Sequence, residues 1–145
     1  MLVQRKRLYV DAWRWLSKSM KSTSQCCNAV LVIEDEKDIR ETLQQVIELE
    51  GYEVFTAANG KEGLKALAER QRPGLILLDM MMPIMNGWEF MTAQKLDEKV
   101  SEIPVVIISA AGERAKNTHA VGFVKKPVEL DYLLQVVGQY CSVQR

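Results

Sequence analysis

The chain has 145 residues, with 19 Lys and Arg, 19 Asp and Glu, and a hydrophobic share of 48%. That size suits one domain with a sizeable core, and the composition excludes a wholly disordered chain. No apolar run approaches the roughly 20 residues of a membrane-spanning helix, and three cysteines, two of them adjacent, do not form a disulfide framework.

The neutral total hides an asymmetry. Residues 1–28 carry Arg5, Lys6, Arg7, Arg14, Lys18 and Lys21 against Asp11 alone, so this head is net +5 and the body, residues 29–145, net −5. Tyr9, Trp13, Leu16 and Met20 share one helical face, and most of the charges lie on another. A basic amphipathic extension of this kind could lie on an anionic membrane surface or dock a partner. Two plainer readings stand beside it: a helix packed on the domain, or a natural start at Met20. The apolar stretch 8–16 is interrupted by Asp11 and Arg14, so a signal peptide is not expected there. With Cys26, Cys27 and Cys141 read as reduced thiols, the expected location is the cytoplasm.

From Ala29 onward, strand and helix patterns alternate. Residues 29–33 (AVLVI) form the fully apolar run of a strand buried on both faces. Residues 36–50 carry Ile39, Leu43, Val46 and Ile47 at helical spacing, and Gly51 is a left-handed stop. A second strand over 52–57 turns at Asn59-Gly60 into a helix over 60–69. The run LILL at 75–78 is the third strand, ended by Asp79, and a Met-Pro loop leads to a helix over 87–96. VVII at 105–108 is the fourth strand. A short helix over 113–120, a fifth strand over 121–124 and a last helix over 128–140 complete the pattern. Five strands alternating with five helices require crossover connections, hence a doubly wound parallel α/β sheet. Ligands in such sheets sit beyond the carboxyl ends of the strands.

Those ends carry reactive groups. Strand one runs into Glu34-Asp35-Glu36, strand three into Asp79, strand four into Ser109, and strand five into Lys125-Lys126-Pro127. Carboxylates gathered in one patch repel one another, and a hard divalent cation such as Mg2+ neutralises them. A lysine and a hydroxyl opposite could hold the oxygens of a phosphoryl group on an aspartate. Taken singly, each residue is as readily a helix cap, a turn residue or a solvated loop charge. Their joint placement on four strand ends is what points to chemistry.

The stretches VLVIEDEKDIR, LILLDMMMPIMNG, VVIISAAG and GFVKKPVEL, in that order, resemble the receiver domain of two-component response regulators over roughly residues 30–137. The resemblance implies a flavodoxin-like strand order 2-1-3-4-5. It also implies that Asp79 is the phosphoacceptor, receiving a phosphoryl group from a sensor histidine kinase or a phosphotransfer protein. Glu34 and Asp35 match the acidic pair that holds Mg2+ together with Asp79 and the backbone carbonyl of Met81. Lys126 matches the lysine that pairs with the acceptor and then with the phosphoryl group. Ser109 matches the hydroxyl, and Phe123 the aromatic residue, that move on activation. Lys126-Pro127 matches a peptide bond usually found cis.

There are departures from the family pattern. Glu34 replaces the commoner Asp, Ile84 stands where Gly is common, and Asn86 where Asp is common, although Asn86 remains a good helix cap. Only 13 residues separate Ser109 from Phe123, which shortens the intervening helix. Met80, Met81, Met82 and Met85 read as packing and loop filler rather than a sulfur metal site. The chain stops five residues after Tyr140, so a stand-alone receiver is expected, with no attached DNA-binding output domain and with an effector that the sequence does not name. Such a protein would phosphorylate and dephosphorylate itself with magnesium, and it would turn over no external substrate.

Other classes compete with this reading. A phosphorylation-independent binding module of the same fold would be expected to have lost part of the Glu34, Asp35, Asp79, Ser109, Lys126 set. An aspartyl phosphatase usually places a second Asp two residues after the first, where this chain has Met81. A flavin-binding protein of this topology would want a Ser/Thr-rich loop after strand one, and Glu34-Asp35-Glu36 would repel its phosphate.

Overall fold

The computed structural model describes residues 28–110 and 118–141. The amphipathic extension, Cys26, Cys27 and most of the predicted 113–120 helix lie outside the described residues. Five strands, β1 (Ala29–Ile33), β2 (Glu53–Ala57), β3 (Leu75–Asp79), β4 (Val105–Ser109) and β5 (Gly122–Lys125), form one parallel sheet in the order β2-β1-β3-β4-β5. Among the described residues there are four helices, α1 (Lys37–Leu49), α2 (Gly60–Glu69), α3 (Gly87–Leu96) and α4 (Leu130–Tyr140), where the sequence predicted five. Residues 118–120, the described end of the fourth predicted helix, are not helical.

Burial explains why the central strands were the legible ones. Every residue of β1, β3 and β4 is buried, whereas the edge strands β2 and β5 alternate or open to solvent. Because strand side chains alternate between faces, the sheet builds two cores. Val30, Val32, Leu75, Leu77, Val106 and Ile108 pack against Leu43 and Ile47 of α1 and Leu133, Val136 and Val137 of α4. Leu31, Ile33, Ile76, Leu78, Val105 and Ile107 pack against Leu67 of α2 and Phe90 and Met91 of α3. Helices thus cover both faces, as a parallel sheet requires.

Several helix signals hold at the level of atoms. Gly51 closes α1 at φ 96°. Asn59 caps α2 by accepting from the Glu62 N–H at 2.9 Å. Asn86 and Glu89 form a reciprocal capping box at the start of α3, with bonds of 2.9 and 3.3 Å. The last helix starts at Leu130 rather than at the predicted position 128, because its cap residue Glu129 is still extended (φ −81°, ψ 114°).

The loop from β3 to α3 is drawn tightly against the strand end. The Gly87 N–H donates to Met80 O at 3.0 Å. A Cβ at Gly87 would stand 2.7 Å from Met80 Cα and 2.9 Å from Asp79 O, both backbone atoms that cannot swing away. Gly87→Ala is therefore expected to destabilise the protein by about 2 kcal/mol, measured by urea unfolding; an unchanged midpoint would contradict the crowding. Ile84, in the same loop, is the one non-glycine residue at positive φ (69°) among the described residues, and it is 76% exposed. A β-branched side chain is strained there and, being exposed, recovers little by burial. Ile84→Gly is expected to stabilise the fold by about 1 kcal/mol net of glycine's added chain entropy, and a lowered unfolding midpoint would contradict this.

Candidate functional site

Strand register assembles the site. Ile33 of β1 pairs with Leu78 of β3, so the next residues, Glu34 and Asp79, come level. Asp79 pairs with Ile108 of β4, and Ser109 pairs with Lys125 of β5, which places Ser109 and Lys126 at the neighbouring strand ends. The Lys126 N–H donates to Ser109 O at 3.0 Å, and the Lys126-Pro127 peptide bond is cis.

Glu34, Asp79 and Ser109 are buried, at 1%, 4% and 3% exposure, while Asp35 is exposed. Each of Glu34, Asp35 and Asp79 offers a carboxylate oxygen, and these oxygens lie within 4.8 Å of one another. Lys126 Nζ donates to both oxygens of Glu34, at 3.0 and 3.1 Å. It stands farther from Asp79, at 3.6 Å from Oδ2. The other oxygen of Asp79 accepts from the Met81 N–H at 3.3 Å, so the observed link of Met81 to the site runs through its amide.

Gathering these groups away from water shifts their proton affinities. Burial pushes the Glu34 carboxyl up to about 7; the Lys126 hydrogen bond opposes that rise and the Asp79 charge adds to it. Asp79 is also raised, by burial first, against the pull of Lys126. Burial alone would lower Lys126, but its bond to Glu34 and the two carboxylate charges outweigh burial and raise it.

The backbone that presents the acidic pair is itself held. The Glu34 N–H donates to Ala57 O at 3.0 Å. Arg40, one turn into α1, folds back so that Nη1 donates to the carbonyls of Glu34 at 2.8 Å and Asp35 at 3.2 Å. Sequence reasoning gave Arg40 no role. Its place six residues after Glu34, on the first turns of the helix that follows the acidic loop, was the available signal.

Phe123, in β5, is half-buried and packs against the α2–α3 core, and Val121 beside it is 50% exposed. Met80 and Met82 are buried in that core, while Met81 is 60% exposed, which fits packing rather than sulfur ligation. Cys141 is buried, and its thiol donates to Ala29 O at 3.7 Å. No helix among the described residues is long and apolar enough to cross a membrane.

The donor set fits a hard cation: three carboxylates converge, one of them open to solvent, with no thiol or imidazole among them. The arrangement as a whole is a buried aspartate flanked by two further carboxylates, a lysine and a hydroxyl. Comparison with known proteins leads to the same place. Residues 30–138 match the family model for the response regulator receiver domain. The chain is 34% identical over 120 residues to sporulation initiation phosphotransferase F of Bacillus subtilis, covering 79% of this chain and 94% of that protein. It is 43% identical over 84 residues to the transcriptional regulatory protein CpxR homolog of Haemophilus influenzae, but there it spans only 35% of the relative's length. A solved structure of the chemotaxis response regulator CheY4 of Vibrio cholerae superposes with a TM-score of 0.70 at 27% identity, over 77% of this chain and 97% of that one. Fold and family match agree, and the chain belongs to the response regulator receiver domains of two-component phosphorelay signalling.

Proposed function

We propose that Asp79 is the phosphoacceptor of this receiver, and that residues 29–145 form the receiver unit. The observation that carries this reading is the convergence on Asp79 of the Glu34 and Asp35 carboxylates, the Lys126 ammonium and the Met81 N–H. An Asp79 oxygen attacks the phosphorus of a phosphohistidine on a sensor kinase or phosphotransfer protein; the P–O bond forms as the P–N bond breaks, and the imidazole keeps the electron pair. Glu34, Asp35, Asp79 and the Met81 carbonyl would hold Mg2+, which offsets the charge that builds up between carboxylate and phosphoryl oxygens. Lys126 then binds one phosphoryl oxygen as a point charge, and the Ser109 hydroxyl binds another. Movement of Ser109 leaves room for Phe123 to turn inward, which biases a pre-existing equilibrium that an effector protein reads.

A groove of about 330 Å³ opens beside Lys126, lined by Ile39 and Leu43 of α1 and by Pro127, Val128 and Leu130. Its apolar walls suit a helix of the phosphoryl donor laid next to Asp79. Magnesium-dependent phosphorylation and dephosphorylation of Asp79 would be reactions of the protein on itself. A cytoplasmic location follows from a kinase-fed receiver.

The test is intact mass after incubation with Mg2+ and a small phosphodonor. One acid-stable, base-labile phosphoryl adduct, which does not form when EDTA is present from the start, is expected. A folded protein that takes no phosphoryl group from small donors or from candidate kinases would instead be a constitutive binding module on the same fold.

A further inference from the structure

Residues 1–27 join the sheet at a defined place. The thiol of Cys141, just past the end of α4, donates to Ala29 O at 3.7 Å, so the chain enters β1 beside the C-terminal end of that helix. The groove beside Lys126 lies at the other end of the same helix, between Val128 and Leu130 on one side and Ile39 of α1 on the other. With 11 residues, α4 is about 16 Å long. Residues 21–27 span about 23 Å when extended, so a segment ending at Met20 reaches the groove along α4.

Charge selects this groove. The stretches that carry its lining, 35–43 and 125–131, expose Asp35, Glu36, Asp38, Glu41, Glu129 and Asp131 against Lys37 and Lys125. Lys126, the cation in the lining, is already held by Glu34. Residues 1–28 are net +5. A second groove, beside Trp88 and Leu96 of α3, lies on the opposite face of the sheet and carries Lys95 and His119, which offer a basic segment nothing to bind.

We propose that residues 8–20 of the same molecule occupy this groove as a helix, with the stripe of Tyr9, Trp13, Leu16 and Met20 laid on its apolar walls. Lys6 and Lys21, at the two ends of that segment, meet the acidic rim. Because head and groove share a chain, their effective concentration is on the order of millimolar, and a weak contact suffices to fill the groove. The seat is the one that suits a helix of the phosphoryl donor, so head and donor exclude each other. That exclusion rests on the donor reading of the groove; the seating of the head does not.

The test is zero-length carbodiimide cross-linking of the dilute full chain, which joins a lysine to a carboxylate only where the two touch, followed by peptide mass spectrometry. Links from Lys6, Lys18 or Lys21 to carboxylates within 35–41 or 129–131 are expected. Trp13→Asp in the head and Leu130→Gln at the exposed start of α4 are each expected to lower them by roughly fivefold or more. Head links that fall elsewhere, or none at all, would overturn the seat. Links that survive both substitutions would reduce it to charge attraction and overturn the groove. In a mixture of light and isotopically heavy chains, head links are expected within one isotope; mixed links in statistical proportion would overturn the intramolecular seat in favour of a second copy. Phosphotransfer from a candidate kinase is expected to be severalfold faster for Trp13→Asp than for the full chain, and an equal rate would overturn the exclusion. Small-donor phosphorylation of the same samples separates the two readings. No adduct on a chain whose head links are as expected would overturn the phosphoacceptor reading and leave the seat standing.

Discussion

Glu34→Gln raises the stability of the metal-free protein at about pH 8 and leaves it nearly unchanged at about pH 4. Glu34 ionises in the unfolded chain near 4.5 but in the folded protein only near 7, chiefly because burial penalises the charge. Between those values the folded state keeps a proton that the unfolded state releases. Stability is therefore full below the lower value and falls as pH rises through the upper one. The drop across the window is on the order of 3 kcal/mol, a large part of a small domain's margin. Gln resembles the protonated carboxyl in shape and cannot ionise, so its variant escapes the drop, and Lys126 keeps Asp79 as a partner. Thermal or urea unfolding of both proteins in EDTA across this range measures the difference. A variant less stable than wild type at about pH 8 would mean that the Glu34–Lys126 pair outweighs its own desolvation. The physical point is general: a site that gathers anions for chemistry is held together at the expense of stability.

Asp79→Asn abolishes the phosphoryl adduct, lowering its yield from small donors by about 100-fold or more, the scale on which loss of a nucleophile acts. The amide keeps the size of the carboxylate but not its nucleophilic oxygen. The variant is expected to fold, because Asn still accepts from the Met81 N–H and removing a buried anion relieves a carboxyl whose proton affinity burial has raised. Intact mass and the unfolding midpoint, measured on the same sample, separate loss of chemistry from loss of fold. A full-yield adduct on folded Asp79→Asn would move the chemistry to another residue.

What could be read from the sequence follows burial. The runs AVLVI, LILLD and VVIIS are buried at every position, so an unbroken apolar pattern marked them and their ends marked Glu34, Asp79 and Ser109. The edge strand β5 is less covered; it was read one residue early and includes Lys125, which composition alone would place in a loop. The four strand-end groups were legible because register, once the sheet is parallel, leaves them nowhere else to go. Side-chain choices within that patch were not. Nothing in Glu34-Asp35-Glu36 says that Glu34 turns inward and Asp35 outward, or that Lys126 prefers Glu34 to Asp79. Those outcomes depend on reach across two strands, as does the return of Arg40 onto the loop that precedes its helix. Ile84 shows the reverse case: its departure from the family's glycine was visible in the sequence, and the backbone kept the left-handed turn regardless.

The most direct test of the central claim is to reduce the phosphorylated wild-type protein with borohydride and map the product by peptide mass spectrometry. An aspartyl phosphate is reduced to homoserine, whereas phosphoserine, phosphothreonine and phosphohistidine are not. The account predicts homoserine in place of Asp79 and at no other carboxylate, Glu34 and Asp35 included. A reduced residue elsewhere, or a phosphoryl adduct that leaves no reduction product, would contradict it.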